Sequence, residues 1–306
     1  MLNVSHPDRV VFPDARGPGG VPQEALTKGD VVEYHRRVAP VMVRHLRGRP
    51  LMLERYPEGI GGFRVIQKEV PDHFPEWVHR VEVPKEGGTV THAVVNDEDA
   101  LVYLANQGCL TFHTWLSTAE RIYHPDQLIF DLDPPSAGAF DVVRDTARRL
   151  RALLEEALEL VPFVKTTGSR GLHVVVPLDR SATFDEVRAF ARDVAEVLVA
   201  GDPGRLTTEV RKAKRGGRLF VDVLRNGYAQ TAVVPYSLRA RPGAPVATPL
   251  DWDEVNSRLD PARYNLKNLF RRLGRKADPW KDMAAHSRPL EPGRRRLETQ
   301  RRLLAS

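Results

Sequence analysis

One segment in the middle of the chain, Ile129-Phe130-Asp131-Leu132-Asp133-Pro134, restricts the fold more than any other. Apolar and acidic residues alternate in it, which is the side-chain period of a β-strand. Asp131 and Asp133 would therefore point to one face of a sheet, while Phe130 and Leu132 enter a core on the other. The proline that follows is typical of a strand end. The chain must accommodate a sheet that presents two carboxylates side by side.

Two neighbouring carboxylates repel each other and lose hydration, and a bound divalent cation would relieve that conflict. Oxygen ligands suit Mg²⁺ or Mn²⁺, and two such ions serve phosphoryl transfer in polymerases. A third acid, Asp222, stands inside the β-forming segment LFVDVL, where a carboxylate is rarely left unpaired. Two alternatives remain. Asp131 and Asp133 also fit a solvated strand end, and Asp222 also fits a salt bridge to a nearby arginine.

A glycine-containing turn, Thr167-Gly168-Ser169-Arg170-Gly171-Leu172-His173, joins two further predicted strands. Its glycines would let backbone N–H groups approach phosphate oxygens, and its hydroxyls and guanidinium would add donors. The spacing of a Walker A loop is absent. Taken alone, the turn also fits an ordinary hairpin in which the histidine is a satisfied core residue.

Two basic runs flank Asp222 in the sequence, RKAKRGGR at 211–218 and PYSLRARP at 235–242. Acids surrounded by arginine and lysine are what phosphoryl-transfer chemistry requires. The net charge of +6 agrees with a polyanionic partner. Each run by itself also fits a solvated surface loop.

Predicted helices and strands are mixed without strict alternation, which favours an α/β (α+β) fold of two layers with mixed sheets over a doubly wound sheet. Helices are predicted at 27–46 with a kink or an interruption at Pro40, and at 97–106, 139–158, 183–200, 264–276 and 294–306; strands at 127–133, 164–167, 172–178, 218–224 and 231–238; and a loop at 16–23.

The single cysteine, Cys109, excludes an intrachain disulfide and a cysteine-based zinc site. No segment approaches the roughly 18 consecutive apolar residues of a membrane helix. The N-terminal segment has no apolar run of the kind found in signal peptides. We therefore expect a cytoplasmic, nucleoid-associated protein without membrane contact.

In their order and combination, these segments resemble the polymerase domain of bacterial ATP-dependent DNA ligase D, within the archaeo-eukaryotic primase superfamily. The matching segments are FDLDP at 130–134, TGSRGLH at 167–173, FVD at 220–222 and AVVPYSLR at 232–239, together with LTKGD at 26–30 and RYPEG at 55–59. The resemblance implies a primase-polymerase fold with an RRM-like catalytic core. It divides the chain into a primase-polymerase domain at 1–290, including an N-terminal DNA-end-binding part, and a basic C-terminal tail at 291–306.

The resemblance also implies a role for each matching residue. Two ions of Mn²⁺ or Mg²⁺ would be held by Asp131, Asp133 and Asp222. The incoming nucleotide would be held by His113, Thr167, Ser169, Arg170, Gly171, His173, Arg215, Arg239 and Arg241. The 5′-phosphate of a DNA end would be bound by His6, Arg9 and Lys28, and the template by Arg55, Phe63 and Lys68.

Lys28 also lies in the first turn of a predicted helix, where free backbone N–H groups would attract a phosphate. Several positions depart from the family pattern. Thr167 replaces serine, Arg9 replaces lysine, and Glu54 replaces a lysine, which weakens the case for one phosphate contact. Val65 and Ile66 stand where many members have adjacent aromatic residues, so template stacking would be weaker. The basic tail is expected to be a solvated helix or an auxiliary DNA contact.

The sequence thus predicts a metal-dependent, template-directed nucleotidyltransferase that adds nucleotides, preferentially ribonucleotides, at DNA ends and short gaps during non-homologous end joining. Its expected partners are 5′-phosphorylated DNA ends, gaps and overhangs, NTPs or dNTPs, Ku and an ATP-dependent DNA ligase. Because the ligase signature KxDG is absent, the chain is expected either to be a free-standing polymerase or to work beside a separate ligase. The alternatives are an inactive nucleic-acid end-binding module and a metal-dependent nuclease. Three acids favour an enzyme, because carboxylates hinder contact with a phosphate backbone unless metals intervene. The glycine turn favours a polymerase over a nuclease.

Overall fold

The structure is a computed structural model that describes residues 3–16, 22–136 and 138–305. Residues 17–21 of the predicted loop at 16–23 lie outside this range. The chain forms two compact units. Unit one comprises Met1–Ile122, Thr231–Thr248 and Ala262–Asp278, and unit two comprises Tyr123–Gln230, Pro249–Pro261 and Pro279–Ser306. The functional boundary predicted at residue 290 stays a prediction.

The helices in the described residues are α1 (Lys28–Leu46), α2 (Glu98–Asn106), α3 (Phe140–Ala152), α4 (Phe184–Ala200), α5 (Leu269–Leu273) and α6 (Leu290–Ala305). The strands are β1 (Val10–Phe12), β2 (Ala15–Arg16), β3 (Pro22–Gln23), β4 (Leu26–Thr27), β5 (Leu51–Arg55), β6 (Val65–Gln67), β7 (Arg80–Lys85), β8 (Gly88–Ala93), β9 (Cys109–Trp115), β10 (Gln127–Asp133), β11 (Phe163–Thr166), β12 (Leu172–Pro177), β13 (Leu206–Thr207), β14 (Leu219–Asp222), β15 (Thr231–Val233) and β16 (Pro249–Leu250). Among the helices of the described residues, none has the length and apolar character needed to cross a membrane.

Unit one is built on an antiparallel sheet with the strand order β15-β9-β5-β6. Helix α1 begins at a capping box in which Thr27 and Asp30 satisfy each other's backbone N–H groups. Its apolar side chains, including Val38 and Met42, are fully buried in the core of this unit. Of the two effects predicted for Pro40, the interruption is wrong, since the helix continues to Leu46, and the kink stays a prediction. Burial of the flanking residues outweighs the one backbone hydrogen bond that proline cannot donate.

Unit two contains a six-stranded sheet in the order β13-β14-β10-β12-β11-β16. Its pairs are antiparallel except β13 with β14, and α3 and α4 pack against β10. Phe130 and Leu132 are fully buried, as the alternation in the sequence predicts. The mixed α/β class is confirmed, and the acidic strand β10 lies inside the sheet rather than at its edge.

Several predicted elements are shorter in the structure. The strand predicted at 218–224 ends at Asp222, and a 3-10 turn covers Leu224–Asn226. The strand predicted at 231–238 ends at Val233, before Pro235 and before Tyr236, whose φ of 69° leaves the extended region. The helix predicted at 139–158 becomes a π-helical turn after Ala152, and the one at 264–276 is helical only within α5.

The C-terminal helix α6 packs on its own unit along one apolar face, and most of its other described side chains face solvent, as the predicted solvated helix requires. Leu290 and Leu297 are buried. Arg301 pairs with Asp193 and Glu196 of α4, and two further arginines pair with carboxylates. Those pairs are Arg296 with Glu159, at 2.6 Å, and Arg295 with Glu291, at 3.0 Å. Acidic residues of unit two therefore neutralise much of the tail, which disfavours the predicted auxiliary contact to DNA.

A buried polar network secures the PYSLR segment within unit one. Tyr236 is fully buried, and its hydroxyl donates to Asp278 Oδ1 at 2.7 Å. Its carbonyl oxygen accepts from the Tyr34 hydroxyl of α1 at 2.7 Å. His45 Nε2 lies 3.3 Å from the other oxygen of Asp278. This part of the family motif is therefore a structural brace.

We expect Tyr236→Phe to lower the free energy of unfolding by about 1–3 kcal/mol, because Asp278 would remain buried with one donor fewer. Chemical denaturation monitored by circular dichroism measures this difference. Tyr103→Phe is the matched control, since the hydroxyl of that buried tyrosine has no hydrogen-bond partner among the described residues. Equal losses in both variants would contradict the brace.

Candidate active site

Four charged or polar side chains form a row across the sheet of unit two. Asp131 on β10 is the direct cross-strand partner of Asp222 on β14 and of His173 on β12. His173 is in turn the partner of Lys165 on β11. Directly opposed residues project to the same face with Cβ atoms about 4.5–5.5 Å apart. Asp133 lies two residues along β10 and shares this face. The structure thus brings all three predicted acids together.

The side chain of Asn226, whose role was not predicted from the sequence, binds β10 just beyond the point where its pairing with β14 ends. The amide of Asn226 donates to the carbonyl of Ile129 at 2.7 Å and accepts from the N–H of Ile129 at 2.8 Å. Asn226 is fully buried. The amide group of Asn226 thus replaces the backbone of a neighbouring strand as the hydrogen-bonding partner of Ile129. This fixes the position of β10 two residues before Asp131.

The acids stand in an electrostatic environment that disfavours three negative charges. Burial, followed by repulsion from Asp131, raises the pKa of Asp133. Burial also raises the pKa of Asp222, and the charge of Asp131 adds to that effect. For Asp131, burial acts to raise the pKa, but His173, Arg225 and neighbouring charge hold it below its usual range. One carboxylate is therefore stabilised by the protein, and two are not.

Two cationic side chains near the acids, Arg225 and Lys165, were not predicted from the sequence as site residues. Arg225 Nε lies 3.7 Å from Asp131 Oδ2. Lys165 is buried on the same face. Burial, followed by the charge of Lys165, lowers the pKa of His173 to about 4, so the ring is neutral at physiological pH. Its Nε2 lies 3.5 Å from Asp131 Oδ1. For Lys165, the sequence signal was a lysine within the otherwise apolar start of a predicted strand.

The donor set fits a divalent cation, because carboxylate oxygens on one face are hard ligands whose mutual repulsion a cation would remove. Within the described residues, three acidic ligand atoms lie within 4.8 Å of one another only at Asp251, Asp253 and Glu254. That group is explained locally, since Asp251 and Glu254 form a capping box around a 3-10 turn. Among the described residues, the ligand atoms of Asp131, Asp133 and Asp222 do not all lie within 4.8 Å of one another, although the sheet register places the three acids on one face.

The glycine turn adjoins the acidic strand directly. A Cβ on Gly171 would collide with the carbonyl oxygen of Leu132 and with a carboxylate oxygen of Asp133, so only glycine allows this approach. The Thr167 hydroxyl lies 3.2 Å from both the amide nitrogen and the carbonyl oxygen of Gly171 and closes the turn. The charge of Arg170 acts on the carboxyl of Asp133. The turn thus places its backbone and the Arg170 guanidinium beside the acids.

Arg215 is also brought to this face, but its guanidinium is engaged. It donates to the carbonyls of Glu209 at 3.0 Å and Val210 at 2.8 Å. Its Cζ atom lies 4.1 Å from the ring centroid of Phe220, which is the cross-strand partner of Asp133. These contacts shape the basic loop, so a phosphate contact by Arg215 stays a prediction.

In unit one, His113 of β9 is paired with Glu54 of β5 at 3.3 Å. The hydrogen bond from His113 is the main cause that lowers the pKa of Glu54, and the charge of Arg239 acts in the same direction. Arg239 and Arg241 follow the braced segment within this unit, and Arg241 is exposed. The departure from lysine at position 54 therefore creates a partner for a predicted nucleotide-binding residue. The nucleotide contacts of these three residues stay predictions.

The predicted 5′-phosphate residues gather around the start of α1, but the expected free amides are absent. The N–H groups of Lys28 and Gly29 donate to the carbonyls of Arg9 and Pro7, each at 2.8 Å, and Thr27 caps the next one. A phosphate would therefore rely on side chains. Burial and then the charge of Arg9 lower the pKa of Lys28. Lys28 Nζ donates to the Ser5 hydroxyl at 2.7 Å, and His6 is exposed on the same loop.

The predicted template residues differ in availability. Arg55 is already bound to the carbonyl of Gln107 at 2.8 Å and to the side chain of Gln67 at 2.6 Å. Phe63 and Ile66 are each more than half exposed, and Lys68 is exposed. Phe63 and Ile66 therefore present exposed apolar side chains near β6, and the two positions that are aromatic in many family members are Val65 and Ile66 here.

Comparison with known proteins gives one consistent result. A family model, "LigD, primase-polymerase domain", matches residues 27–280. The multifunctional non-homologous end joining protein LigD of Pseudomonas aeruginosa is 32% identical over 297 residues, which cover 96% of this chain and 34% of that protein. The bifunctional LigD of Bacillus subtilis is 31% identical over 257 residues, 84% of this chain and 41% of that protein. The chain thus spans well under half the length of these relatives.

Among solved structures, the polymerase domain from Mycobacterium tuberculosis ligase D in complex with DNA is similar, with a TM-score of 0.82 and 29% identity. The match covers 94% of this chain and 99% of that one.

The acidic face predicts how metal and pH change stability. The pKa values of Asp133 and Asp222 are raised in the folded protein. The two carboxyl groups therefore stabilise the fold while they are protonated at acidic pH, and this stabilisation is lost as the pH rises through their pKa values in the folded state. At pH 7.5 without metal, we expect Asp133→Asn to melt at or above the temperature of wild type. Mn²⁺ should raise the melting temperature of wild type and should hardly change that of the variant.

Differential scanning fluorimetry with and without EDTA measures these shifts. Asp253→Asn, in the second acidic group, is the control and should respond to Mn²⁺ as wild type does. A metal response that disappears in Asp253→Asn and persists in Asp133→Asn would place the metal site elsewhere.

Proposed function

Because the chain belongs to the LigD primase-polymerase family, we propose that it is a metal-dependent, template-directed nucleotidyltransferase that extends DNA ends and fills short gaps during non-homologous end joining. The observation that carries the proposal is the acidic face of β10 and β14 directly against the glycine turn. Its proposed substrates are NTPs or dNTPs and 5′-phosphorylated DNA ends, with action on chromosomal DNA in the bacterial cytoplasm. Functional cooperation with Ku and an ATP-dependent ligase is part of this proposal.

The proposed metal ligands are Asp131, Asp133 and Asp222, with two ions of Mn²⁺ or Mg²⁺. When bound, such ions activate the attacking hydroxyl and offset charge on the departing phosphate. Arg225 and neutral His173 hold the carboxylate of Asp131 in place, so it keeps its charge and its orientation. Asp133 and Asp222, whose negative charges the protein stabilises least, have most to gain from a cation.

The glycine turn is proposed to bind the triphosphate. Ser169 offers a hydroxyl, Arg170 offers a planar fork of N–H donors, and Gly171 brings the backbone close to Asp133. The Thr167 hydroxyl holds the turn closed, so its own contact to the nucleotide is proposed on the family resemblance alone. Fixed donors of this kind stabilise charge that develops during phosphoryl transfer without needing to reorganise. His113, Arg215, Arg239 and Arg241 are further candidate nucleotide contacts on the strength of the family resemblance.

A nuclease needs the same acids but no donors for a triphosphate, and an end-binding module needs neither. The turn beside Asp133 therefore favours a polymerase over both alternatives. A preference for ribonucleotides is proposed from the resemblance, and it requires a polar contact to the 2′-hydroxyl.

Primer extension on a 5′-phosphorylated gapped duplex tests the function. With Mn²⁺ and competing NTPs and dNTPs, we expect the wild-type primer to lengthen and to incorporate mainly ribonucleotides. Asp131→Asn and Asp133→Asn should each reduce extension by about 10³-fold or more, because the metal contributes several kcal/mol of charge stabilisation. Asp253→Asn should extend at the wild-type rate.

Each result of this assay has one reading. A shortened primer would indicate a nuclease, and an unchanged primer would indicate an end-binding module. Extension with more dNTP than NTP incorporated would remove the ribonucleotide preference and leave the polymerase assignment intact.

Recognition of the 5′-phosphate is proposed for Lys28, Arg9 and His6, because two close cations with a lowered lysine pKa are stabilised by an added anion. Charge-assisted contacts to phosphate contribute about 1.5–3 kcal/mol each. We expect Lys28→Ala to weaken binding to a 5′-phosphorylated gap by about 10- to 100-fold. Binding to the same gap with a 5′-hydroxyl should hardly change.

Fluorescence anisotropy at one fixed salt concentration measures both affinities. Lys85→Ala, on the exposed end of β7, is the charge-matched control. If wild type binds phosphate and hydroxyl ends equally well, the end-recognition role is wrong even if extension is observed.

A further inference from the structure

A strongly basic segment of unit one belongs to none of the sites described above. Residues 262–276 contain six arginine or lysine residues and no aspartate or glutamate. Lys267 pairs with Glu24 at 2.9 Å. The other five are Arg263, Arg271, Arg272, Arg275 and Lys276, and all of them line one cleft of about 610 Å³.

The fold fixes this segment firmly. Leu269 is fully buried in the core of unit one, and Leu266, Phe270 and Leu273 pack against the same core. This spacing turns one side of the segment inward. The guanidinium carbon of Arg37 on α1 lies 3.8 Å from the ring centroid of Phe270 and covers it. The outward side chains are therefore presented by an anchored scaffold.

The cleft has an aromatic wall. The Cζ atom of Arg272 lies 4.9 Å from the ring centroid of Tyr264, and its Nη1 lies 3.4 Å from the tyrosine hydroxyl. Arg263 approaches the same ring, at 5.7 Å. Guanidinium groups that lie over an aromatic ring contact it through their planar faces, so Tyr264 fixes the positions of these two arginines.

Three arginines of the cleft differ from other arginines of the chain in that they form no ion pair with an acidic residue among the described residues. In the part of the chain that the structure describes, no carboxylate forms an ion pair with Arg263, Arg271 or Arg275. The arginines of α6 differ, since Arg295, Arg296 and Arg301 each have an acidic partner. Close cations without acidic partners repel one another, and an added polyanion would relieve this.

We propose that this basic cleft binds the sugar–phosphate backbone of a nucleic acid duplex without reading its base sequence. Several cations along an open cleft match a chain of phosphates better than a single anion. Arginine forks match phosphate geometry by paired hydrogen bonds. Such contacts release counterions and make binding steeply dependent on salt. The cleft would give the protein a hold on DNA that requires no 5′-phosphate, gap or metal.

The test uses a fluorescent blunt duplex with 5′-hydroxyl ends, in EDTA, so that neither the Lys28 site nor the acidic face is required. Anisotropy titrations at several salt concentrations give the affinity and its salt slope. In Arg271→Gln/Arg275→Gln, the slope should fall by about 2, since each phosphate contact contributes roughly 0.9. Affinity at fixed salt should fall by about 10- to 100-fold.

The control is Arg294→Gln/Arg295→Gln on α6, which removes the same charge from residues that pair with Glu291. The salt slope of this control variant should differ from that of wild type by less than the roughly 0.9 that one phosphate contact contributes. Equal losses in both double variants would show that only net charge matters and would overturn the cleft. Competition by polyglutamate as strong as by duplex DNA would also overturn it, in favour of an acidic protein partner.

Asp133→Asn separates this proposal from the proposed polymerase function. That variant should lose primer extension and retain duplex binding with the wild-type salt slope. Loss of primer extension in Asp133→Asn supports the catalytic role of the acids. A smaller salt slope of duplex binding in Arg271→Gln/Arg275→Gln supports binding by the cleft, so either proposal can fail alone.

Discussion

The register of β10 against its two neighbours is the constraint on which the candidate active site depends. This pairing sets Asp131 opposite Asp222 on one side and opposite His173 on the other. A slip of one residue would turn the carboxylates into the core and Phe130 and Leu132 to the opposite face. Burial of those two side chains is worth about 1.5–3 kcal/mol each, so the apolar face of the strand holds the acidic face in register.

The same arrangement carries an electrostatic cost that the protein offsets only in part. Asp131 receives Arg225 and His173, and Asp222 accepts the N–H of Leu224 at 2.7 Å. The raised pKa values of Asp133 and Asp222 show that the remaining repulsion is not removed. A sheet interior that kept such charges for stability alone would pair each of them. The cation proposed for this face would offset the remaining repulsion.

Sequence reasoning succeeded where a short period decides the structure and failed where distant partners do. The strand at 127–133 and its two faces followed from alternation, and the cap of α1 from Thr27 and Asp30. Asn226 and Arg225 could not be assigned, because their roles depend on the pairing of β14 with β10. The expected free amides at the start of α1 were wrong, since carbonyls of a preceding loop occupy them. The ion pairs of the tail could not be predicted for a similar reason, because the partners of Arg301, Asp193 and Glu196, lie far away in sequence.

The family motifs themselves divide into two kinds when their contacts are followed. Gly171 and the acids of β10 and β14 meet at one place, where the chemistry is proposed. Tyr236 and Ser237 instead bind the protein's own backbone and a buried acid, and Ser237 Oγ accepts the N–H of Phe112 at 2.8 Å. That contact joins the PYSLR segment to β9 next to His113, so a structural residue sets the position of a candidate functional one. The motif is therefore better understood as a set of reactive groups together with the buried contacts that hold them, and a substitution in it can abolish activity through either part.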